Sequence, residues 1–221
     1  GKYIYSRNAG LGPNVKDVRM AMDFEAPNGS SSEWMNTGKY VARRILDESA
    51  RTLTVRVYDV SSVAIPAGAA NVTRIVKPLD APPQPWNNRM KGADEKPGKE
   101  LIVESVGLSP SQRVGASKRG NRNIIPITGG DLSGRITGKV LSGGADYQNL
   151  SAPPAIDARY LWQASDGEVI IVRNTASTGG LVPIFEARVD SPYAYLNTGR
   201  FLSSNPGIAN GGVKITIYDS T

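Results

Sequence analysis

Histidine and cysteine are both absent from this 221-residue sequence. Without cysteine, the chain cannot form disulfides, thiolate nucleophiles, iron–sulfur clusters or cysteine-ligated zinc sites. Without histidine, it lacks the commonest general base, the Ser-His-Asp triad and nearly every catalytic zinc site. Any catalysis must use the remaining polar side chains or backbone groups, and we expect neither a metal ion nor an organic cofactor.

Long apolar runs and abundant aromatic residues are also missing. No stretch approaches the roughly 18 apolar residues of a spanning helix, so we expect no membrane partner. The net charge is +6, and part of it lies in a run with no acidic residue between Gln112 and Asn123. This run is either an anion or nucleic-acid contact or a solvated basic loop. With only three Phe and three Trp for base stacking and no nucleic-acid-binding motif, nucleic acid is the less favoured partner.

Glycine and proline are plentiful, with 24 and 15 residues respectively, and they separate short apolar runs. Segments such as 135–141 and 155–162 alternate polar and apolar residues, and few segments show a sustained helical period. Short strands with frequent turns and no helical crossovers predict an all-β fold, an antiparallel barrel rather than an α/β fold. We expect five apolar side chains of this barrel to be buried: Val169, Ile171, Val213, Ile215 and Ile217.

Two stretches of the chain are related to each other. Residues 24–40 (FEAPNGSSSEWMNTGKY) align without a gap to residues 185–201 (FEARVDSPYAYLNTGRF), with seven of seventeen positions identical. The match continues downstream, where LTVRVYD ending at Asp59 aligns with VKITIYD ending at Asp219. It also continues upstream, where residues 3–8 align with residues 169–174. The pattern predicts a tandem repeat.

The two copies differ in completeness, because the front half of the second copy has no counterpart ahead of Gly1. We therefore predict the back half of a first barrel module over residues 1–60, a proline-rich linker over 61–99 and a complete module over 100–221. A half barrel would leave strand edges unpaired, so we expect an upstream fragment or another copy of the chain to complete it. Trp86 is the linker residue expected to anchor to a module.

The second module resembles the family known as domain of unknown function 3237, a β-barrel family of bacteria and fungi. Five stretches carry the resemblance, in the family's order: residues 122–130 (RNIIPITGG), 138–148 (GKVLSGGADYQ), 156–160 (IDARY), 166–167 (DG) and 195–197 (YLN). Residues 1–59 resemble the back half only. The resemblance implies a barrel with a polar-lined interior and no established general activity. One departure is Tyr147, where Trp is expected.

Four residues are candidates for chemistry. Asp157 and Arg159 share one face of a predicted strand, where they could clamp a ligand carboxylate, carbonyl or phenolate. The alternative is a salt bridge on the outer surface. Asp146 and Tyr147 follow two glycines, in a turn that could bind an oxyanion while Asp146 serves as a base. Equally, an Asp in such a turn often bonds only its own backbone.

Substrate-binding candidates come from positions shared by the two copies. Arg173 recurs as Arg7 and Asn197 as Asn36, while Tyr195 corresponds to Trp34. Arg173 fits a lumen site or a buried ion pair equally, and Asn197, before Thr-Gly, is also a common turn former.

The function that this sequence favours is small-molecule binding in the barrel. We predict a cofactor-free isomerase, cyclase or lyase that acts by proton transfer on an aromatic or polyketide-like carbonyl compound. The alternative is a non-catalytic carrier of an apolar molecule. A cavity carboxylate with a raised pKa would favour the enzyme, and a purely apolar cavity would favour the carrier.

Overall fold

The computed structural model describes residues 5–11, 17–64, 89–177 and 180–220, and these contain strands and two short 3-10 helices but no α-helix. The chain divides into two compact units. One falls within residues 1–82 together with Val114–Arg119, and the other within 83–113 together with 120–221. The prediction of an all-β antiparallel barrel is confirmed.

The first unit is built on a four-stranded antiparallel sheet in which each strand pairs with the next along the chain. A 3-10 helix, Glu33–Asn36, connects the second and third strands. The strands are β1 (Tyr5–Leu11), β2 (Asp17–Glu25), β3 (Tyr40–Asp47) and β4 (Thr52–Asp59).

The second unit is an antiparallel barrel. The remaining strands, all of the second unit except for residues 114–117 of β6, are β5 (Pro97–Leu108), β6 (Gln112–Ser117), β7 (Gly120–Gly134), β8 (Gly138–Val140), β9 (Ala145–Asn149), β10 (Ile156–Ala164), β11 (Val169–Ser177), β12 (Gly180–Glu186), β13 (Phe201–Ser203), β14 (Gly207–Ala209) and β15 (Gly212–Ser220). A second 3-10 helix, Ala194–Asn197, follows β12.

Closure of the barrel follows from the strand order β11-β12-β13-β15-β5-β7-β8-β10, because β10 also pairs with β11. The backbones of β5 and β7 approach closely where they pair. A Cβ built on Gly130 would lie 1.8 Å from the Ser105 carbonyl oxygen, so only glycine fits there. Eight strands enclose an interior wide enough for side chains and one small ligand.

The barrel interior is filled by alternate side chains of each strand. Ile215 and Ile217 are buried, as predicted, and Val213 is half-buried. The prediction for Val169 and Ile171 is wrong, since they are 44% and 46% exposed. On β11 the inward positions are the even-numbered ones, which include Ile170 and Val172, because a strand alternates its side chains between two faces.

The two aligned stretches adopt the same local structure. The Asn36 side chain accepts from the Ala26 backbone N–H at 2.7 Å, and Asn197 accepts from the Ala187 backbone N–H at the same distance. Each stretch also packs two rings edge-on, Phe24 against Tyr40 and Phe185 against Phe201. These matches support the alignment, while the tandem repeat itself stays a prediction.

The outer edge of the first unit's sheet, strand β4, is where the predicted completing fragment would pair. All eight residues of β4 are exposed, and among the described residues this strand pairs only with β3. In the second unit, β15 aligns with β4 and pairs on its other edge with β5. Completion by an upstream fragment or another copy therefore stays a prediction.

A buried carboxylate fastens the end of the predicted linker to the barrel. Glu95 accepts from Arg89 at 2.7 Å and from the Gly92 backbone N–H at 2.8 Å, and it also accepts from Ser220 at the end of β15. Arg89 donates in turn to the Phe201 carbonyl oxygen at 2.6 Å. Trp86, expected as the linker's anchor, lies outside the described residues.

Acid is expected to loosen this attachment. The hydrogen bond from Arg89 is the main cause that lowers the Glu95 pKa from 4.5 to about 2. A lowered pKa gives stability above pH 4.5 that is lost as the pH falls toward 2. Allowing for solvent around Arg89 and around Arg200, which lies 3.3 Å from the Glu95 carboxylate, Glu95→Gln should cost about 2 kcal/mol at pH 6 and much less at pH 2.5. Urea denaturation at both pH values measures this, and an equal cost at each would contradict it.

Candidate functional site

A cavity of about 130 Å³ lies in the barrel. A cavity of about 150 Å³ lined by apolar side chains holds a benzene ring, so this one has room for about one ring. Aliphatic side chains form most of its wall, and four polar side chains interrupt it. The wall is formed by Val106, Leu108, Ile125, Ile127, Ile156, Ala158, Leu181, Pro206, Val213 and Ile215, and the polar groups are Asp146, Gln148, Tyr160 and Asn174.

Asp146 is the carboxylate of this cavity, and β9 places it there beside Gln148 through its two-residue alternation. Asn123 donates to the Gln148 side-chain oxygen at 2.9 Å, which turns the Gln148 amide to donate to Asp146 at 2.8 Å. The Asp157 backbone N–H donates to the other Asp146 oxygen at 3.3 Å. Burial nevertheless prevails over these bonds and raises the Asp146 pKa. A carboxyl group in a cavity whose pKa is raised by burial is a candidate for proton transfer.

Tyr160 lines the cavity and also contacts a fully buried carboxylate. Its hydroxyl donates to Glu104 Oε1 at 2.6 Å, while the Trp162 indole N–H donates to Glu104 Oε2 at 2.9 Å. Glu104 has no exposed surface, and burial raises its pKa to about 7. Its register neighbours Ile215 and Leu132 are apolar, and no Lys or Arg in the described part of the chain pairs with it to offset the cost of ionisation.

Asp157 and Arg159, predicted as catalytic, lie on the face of β10 opposite the cavity. Arg159 contacts Asp157 at 3.1 and 2.8 Å, and Arg173 contacts it at 2.9 and 3.0 Å. These pairs lower the Asp157 pKa despite burial. Because Ile156 and Ala158 on the same strand face the cavity, the intervening residues must face outward. The structure favours the alternative of a salt bridge on the outer face.

The other predicted residues are spread over several places. Tyr147 lies between the two cavity residues of β9 and so on its opposite face. Tyr195 stacks under Arg135, whose guanidinium carbon lies 4.0 Å from the ring centre. Asn197 and Asn36 bond their neighbouring backbones in turns, which is the structural alternative. Trp34 is 59% exposed. The Arg7 side chain is outside the described residues.

The basic run has carboxylate partners within the first unit. Lys118 lies 2.5 Å from Asp23, and Arg119 pairs with Asp23 and, at 3.4 Å, with Glu25. Ser117 donates to the buried Glu25 at 3.0 Å. These contacts favour a structural role for this part of the run over an anion contact.

No helix within the described residues has the length and apolarity needed to cross a membrane.

Sequence reasoning did not single out four polar residues that face inward: Glu104, Gln148, Tyr160 and Asn174. Glu104, Tyr160 and Asn174 had a signal, because each alternates with apolar residues on one strand face, whereas Gln148 shares its face of β9 with Asp146. Glu104 lies between Ile102 and Val106 in this period, and Asn174 follows Ile170 and Val172. A polar residue in such a register marks the interior once that face is known to be the inward one.

Comparisons with known proteins identify a family and several relatives that match the barrel part of the chain. Residues 101–180 match the family described as Protein of unknown function (DUF3237). A UPF0311 protein of Bradyrhizobium diazoefficiens is 41% identical over 69 residues, and one of Rhodopseudomonas palustris is 36% identical over 96 residues. These alignments cover 30% and 39% of this chain. The chain spans 45% and 63% of the length of these two relatives.

A solved structure supports the barrel fold. The crystal structure of a β-barrel-like protein from Acinetobacter baumannii superposes with a TM-score of 0.50 at 26% identity, covering 62% of this chain and 99% of that one. The resemblance predicted from the sequence is thus confirmed: over residues 101–180 the chain matches DUF3237, an uncharacterised family with a β-barrel fold.

Proposed function

We propose that the barrel binds a small carbonyl compound in its cavity and that Asp146 transfers a proton to or from it, as a cofactor-free isomerase, cyclase or lyase would require. The observation that supports this is a carboxylate with a raised pKa in an otherwise largely aliphatic cavity. Of the residues predicted for catalysis, Asp146 is the one that lines it. An aromatic ring matches the cavity volume.

The geometry suits a base better than a structural carboxylate. Asp146 forms no ion pair within the described part of the chain, so its charge is not committed to a cation. The donors from Gln148 and the Asp157 backbone hold the carboxylate in place without neutralising it. A general base positioned in this way contributes about 10²- to 10⁴-fold to a reaction rate.

Deuterium exchange tests this function without knowledge of the full reaction. Aryl ketones and 1,3-dicarbonyl compounds are incubated with the protein in D₂O, and loss of the α-C–H signal is followed by proton NMR. The wild type should accelerate exchange for at least one ketone, and Asp146→Asn should reduce that acceleration at least about 100-fold, because the amide cannot accept the proton.

Two control variants sharpen this experiment. Asp131→Asn removes a carboxylate from β7 that is exposed and paired with Lys139, and it should leave exchange unchanged. Arg159→Ala should also leave it unchanged, since Arg159 lies on the outer face. Exchange that survives Asp146→Asn but disappears in Arg159→Ala would move the site to that outer face and reject the role of Asp146.

The largely aliphatic wall of the cavity favours a second function, the non-catalytic carrier of an apolar molecule. A carrier binds ring-sized probes but exchanges no proton with any of them. Binding of an apolar probe that is equal in the wild type and Asp146→Asn, without exchange in either, would select the carrier.

A further inference from the structure

The phenol of Tyr160 connects the cavity to the buried Glu104. A tyrosine hydroxyl has one proton to donate and lone pairs that accept. While Glu104 is ionised, it can only accept, so the Tyr160 proton is committed to it at 2.6 Å. The phenolic oxygen then has only an acceptor to offer a molecule in the cavity.

Protonation of Glu104 reverses this arrangement. The Trp162 indole can only donate, so it keeps one carboxyl oxygen as an acceptor. The new proton therefore belongs on Oε1, where it donates to the Tyr160 oxygen. The Tyr160 proton is released from Glu104 and is free to donate into the cavity that this residue lines.

We propose that proton uptake by Glu104 switches the Tyr160 wall of the cavity from hydrogen-bond acceptor to donor, and that the preferred ligand is a carbonyl compound whose oxygen accepts from Tyr160. This inference rests on the proposed function, because it assumes that the cavity is occupied. It adds that the carbonyl oxygen of the ligand is recognised and that this recognition requires protonated Glu104.

The surroundings of Glu104 allow such a switch. Among the described residues, the titratable group that contacts Glu104 is Tyr160, and Asp146 is near enough to Tyr160 to raise the Tyr160 pKa. The neighbours on β15 and β7 are Ile215 and Leu132, which are apolar. No Lys or Arg among the described residues donates to Glu104, and its pKa of about 7 makes both forms accessible near neutrality.

The arrangement also completes the proton transfer proposed for Asp146. Asp146 takes a proton from the carbon beside the carbonyl, and that C–H electron pair forms a C=C bond. The carbonyl π pair moves to oxygen, which takes the Tyr160 proton, while the Glu104 proton moves to Tyr160. The product is an enol with Asp146 protonated and Glu104 ionised. Return of both protons, with carbon protonated at either end of the conjugated system, gives an isomer and restores the protein.

The first test follows Glu104 directly through the Trp162 indole, which bonds to it. In ¹H–¹⁵N spectra recorded from pH 5 to pH 9, the Trp162 side-chain resonance, assigned by its loss in Trp162→Phe, should titrate with a midpoint near 7. It should not titrate in Glu104→Gln. A Trp162 resonance that is constant over this range, or that still titrates in Glu104→Gln, overturns the proposal.

The second test compares two probes of the same shape, acetophenone and α-methylstyrene, which differ in C=O against C=CH₂. Acetophenone should bind the wild type about five-fold more weakly at pH 8.5 than at pH 5.5, the effect of one lost hydrogen bond. The affinity for α-methylstyrene should change little. Glu104→Gln, whose amide donates to Tyr160, should bind acetophenone with the same affinity at both pH values. Tyr160→Phe should lose the tighter binding of acetophenone at pH 5.5.

The outcomes separate this proposal from the function on which it rests. If both probes bind and the ratio of the acetophenone affinity to the α-methylstyrene affinity does not depend on pH, the switch is overturned but ligand binding in the cavity is supported. If neither probe binds at any pH, the ligand-binding function is overturned and the switch with it. A pH-dependent ratio that persists in Glu104→Gln also overturns the switch, because another group must then cause it.

Discussion

The free energy of unfolding of the barrel should fall by about 3 kcal/mol as the pH rises from 4.5 to 7, because Glu104 binds a proton more tightly in the folded protein. Its pKa is about 7 when folded, against an ordinary value of 4.5. Between these values the unfolded chain has released the proton and the folded chain has kept it. Stability is therefore fully present below pH 4.5 and is lost as the pH rises toward 7.

Denaturation in urea at several pH values measures this effect. Glu104→Gln should remove most of the decline, because a neutral amide needs no proton. It can accept from Trp162 and donate to the Tyr160 oxygen. Glu100→Gln, at an exposed position of the same strand, should retain the wild-type decline. An unchanged decline in Glu104→Gln would show that another group, such as Asp146, causes it.

Trp162→Ala should destabilise the barrel by about 3–5 kcal/mol, the cost of removing a buried indole from a packed core. Trp162 has no exposed surface and packs against Phe185 with ring centres 4.9 Å apart. The substitution also removes the donor to Glu104 Oε2, which leaves a buried carboxyl oxygen without its partner. Guanidinium denaturation at pH 6 measures the change.

Leu161→Ala is the matched control for Trp162→Ala. Leu161 is the preceding residue of the same strand, but it is 39% exposed and faces outward. Its truncation should cost less than about 1 kcal/mol, since only part of its apolar surface leaves water on folding. Equal costs for the two variants would contradict the assignment of the inner and outer faces of β10.

Local sequence patterns predicted the strands and the turns between them. The alternation of Ile156, Ala158, Tyr160 and Trp162 predicted that these four share one face of a strand, and they do. The alignment of stretches 24–40 and 185–201 predicted equal local structures. Both form a 3-10 helix whose last residue, Asn36 or Asn197, accepts from the backbone N–H ten residues upstream. Period-two spacing depends only on neighbouring residues, so it can be determined from the sequence.

Which face turns inward is decided by the whole barrel. The sequence placed Asp157 and Arg159 together correctly, but closure of the barrel puts that face outside, where Arg173 from β11 completes the cluster. The same reversal exposes Val169 and Ile171. The alternation along a strand defines its two faces but does not show which of them is buried. Pairing with strands that are distant in sequence determines the buried face.

The sequence by itself determined that this is a histidine- and cysteine-free, all-β chain with two related stretches and a barrel over its second part. The absence of histidine and cysteine excludes the chemistry that needs these side chains, and short-range alternation defines strands. Neither inference requires knowledge of contacts between distant residues. Only the tertiary structure decided that Asp146, Tyr160 and Asn174 face one cavity and that Glu104 lies behind Tyr160. These residues come from different strands, up to 70 positions apart, and strand pairing around the closed barrel is what brings them together.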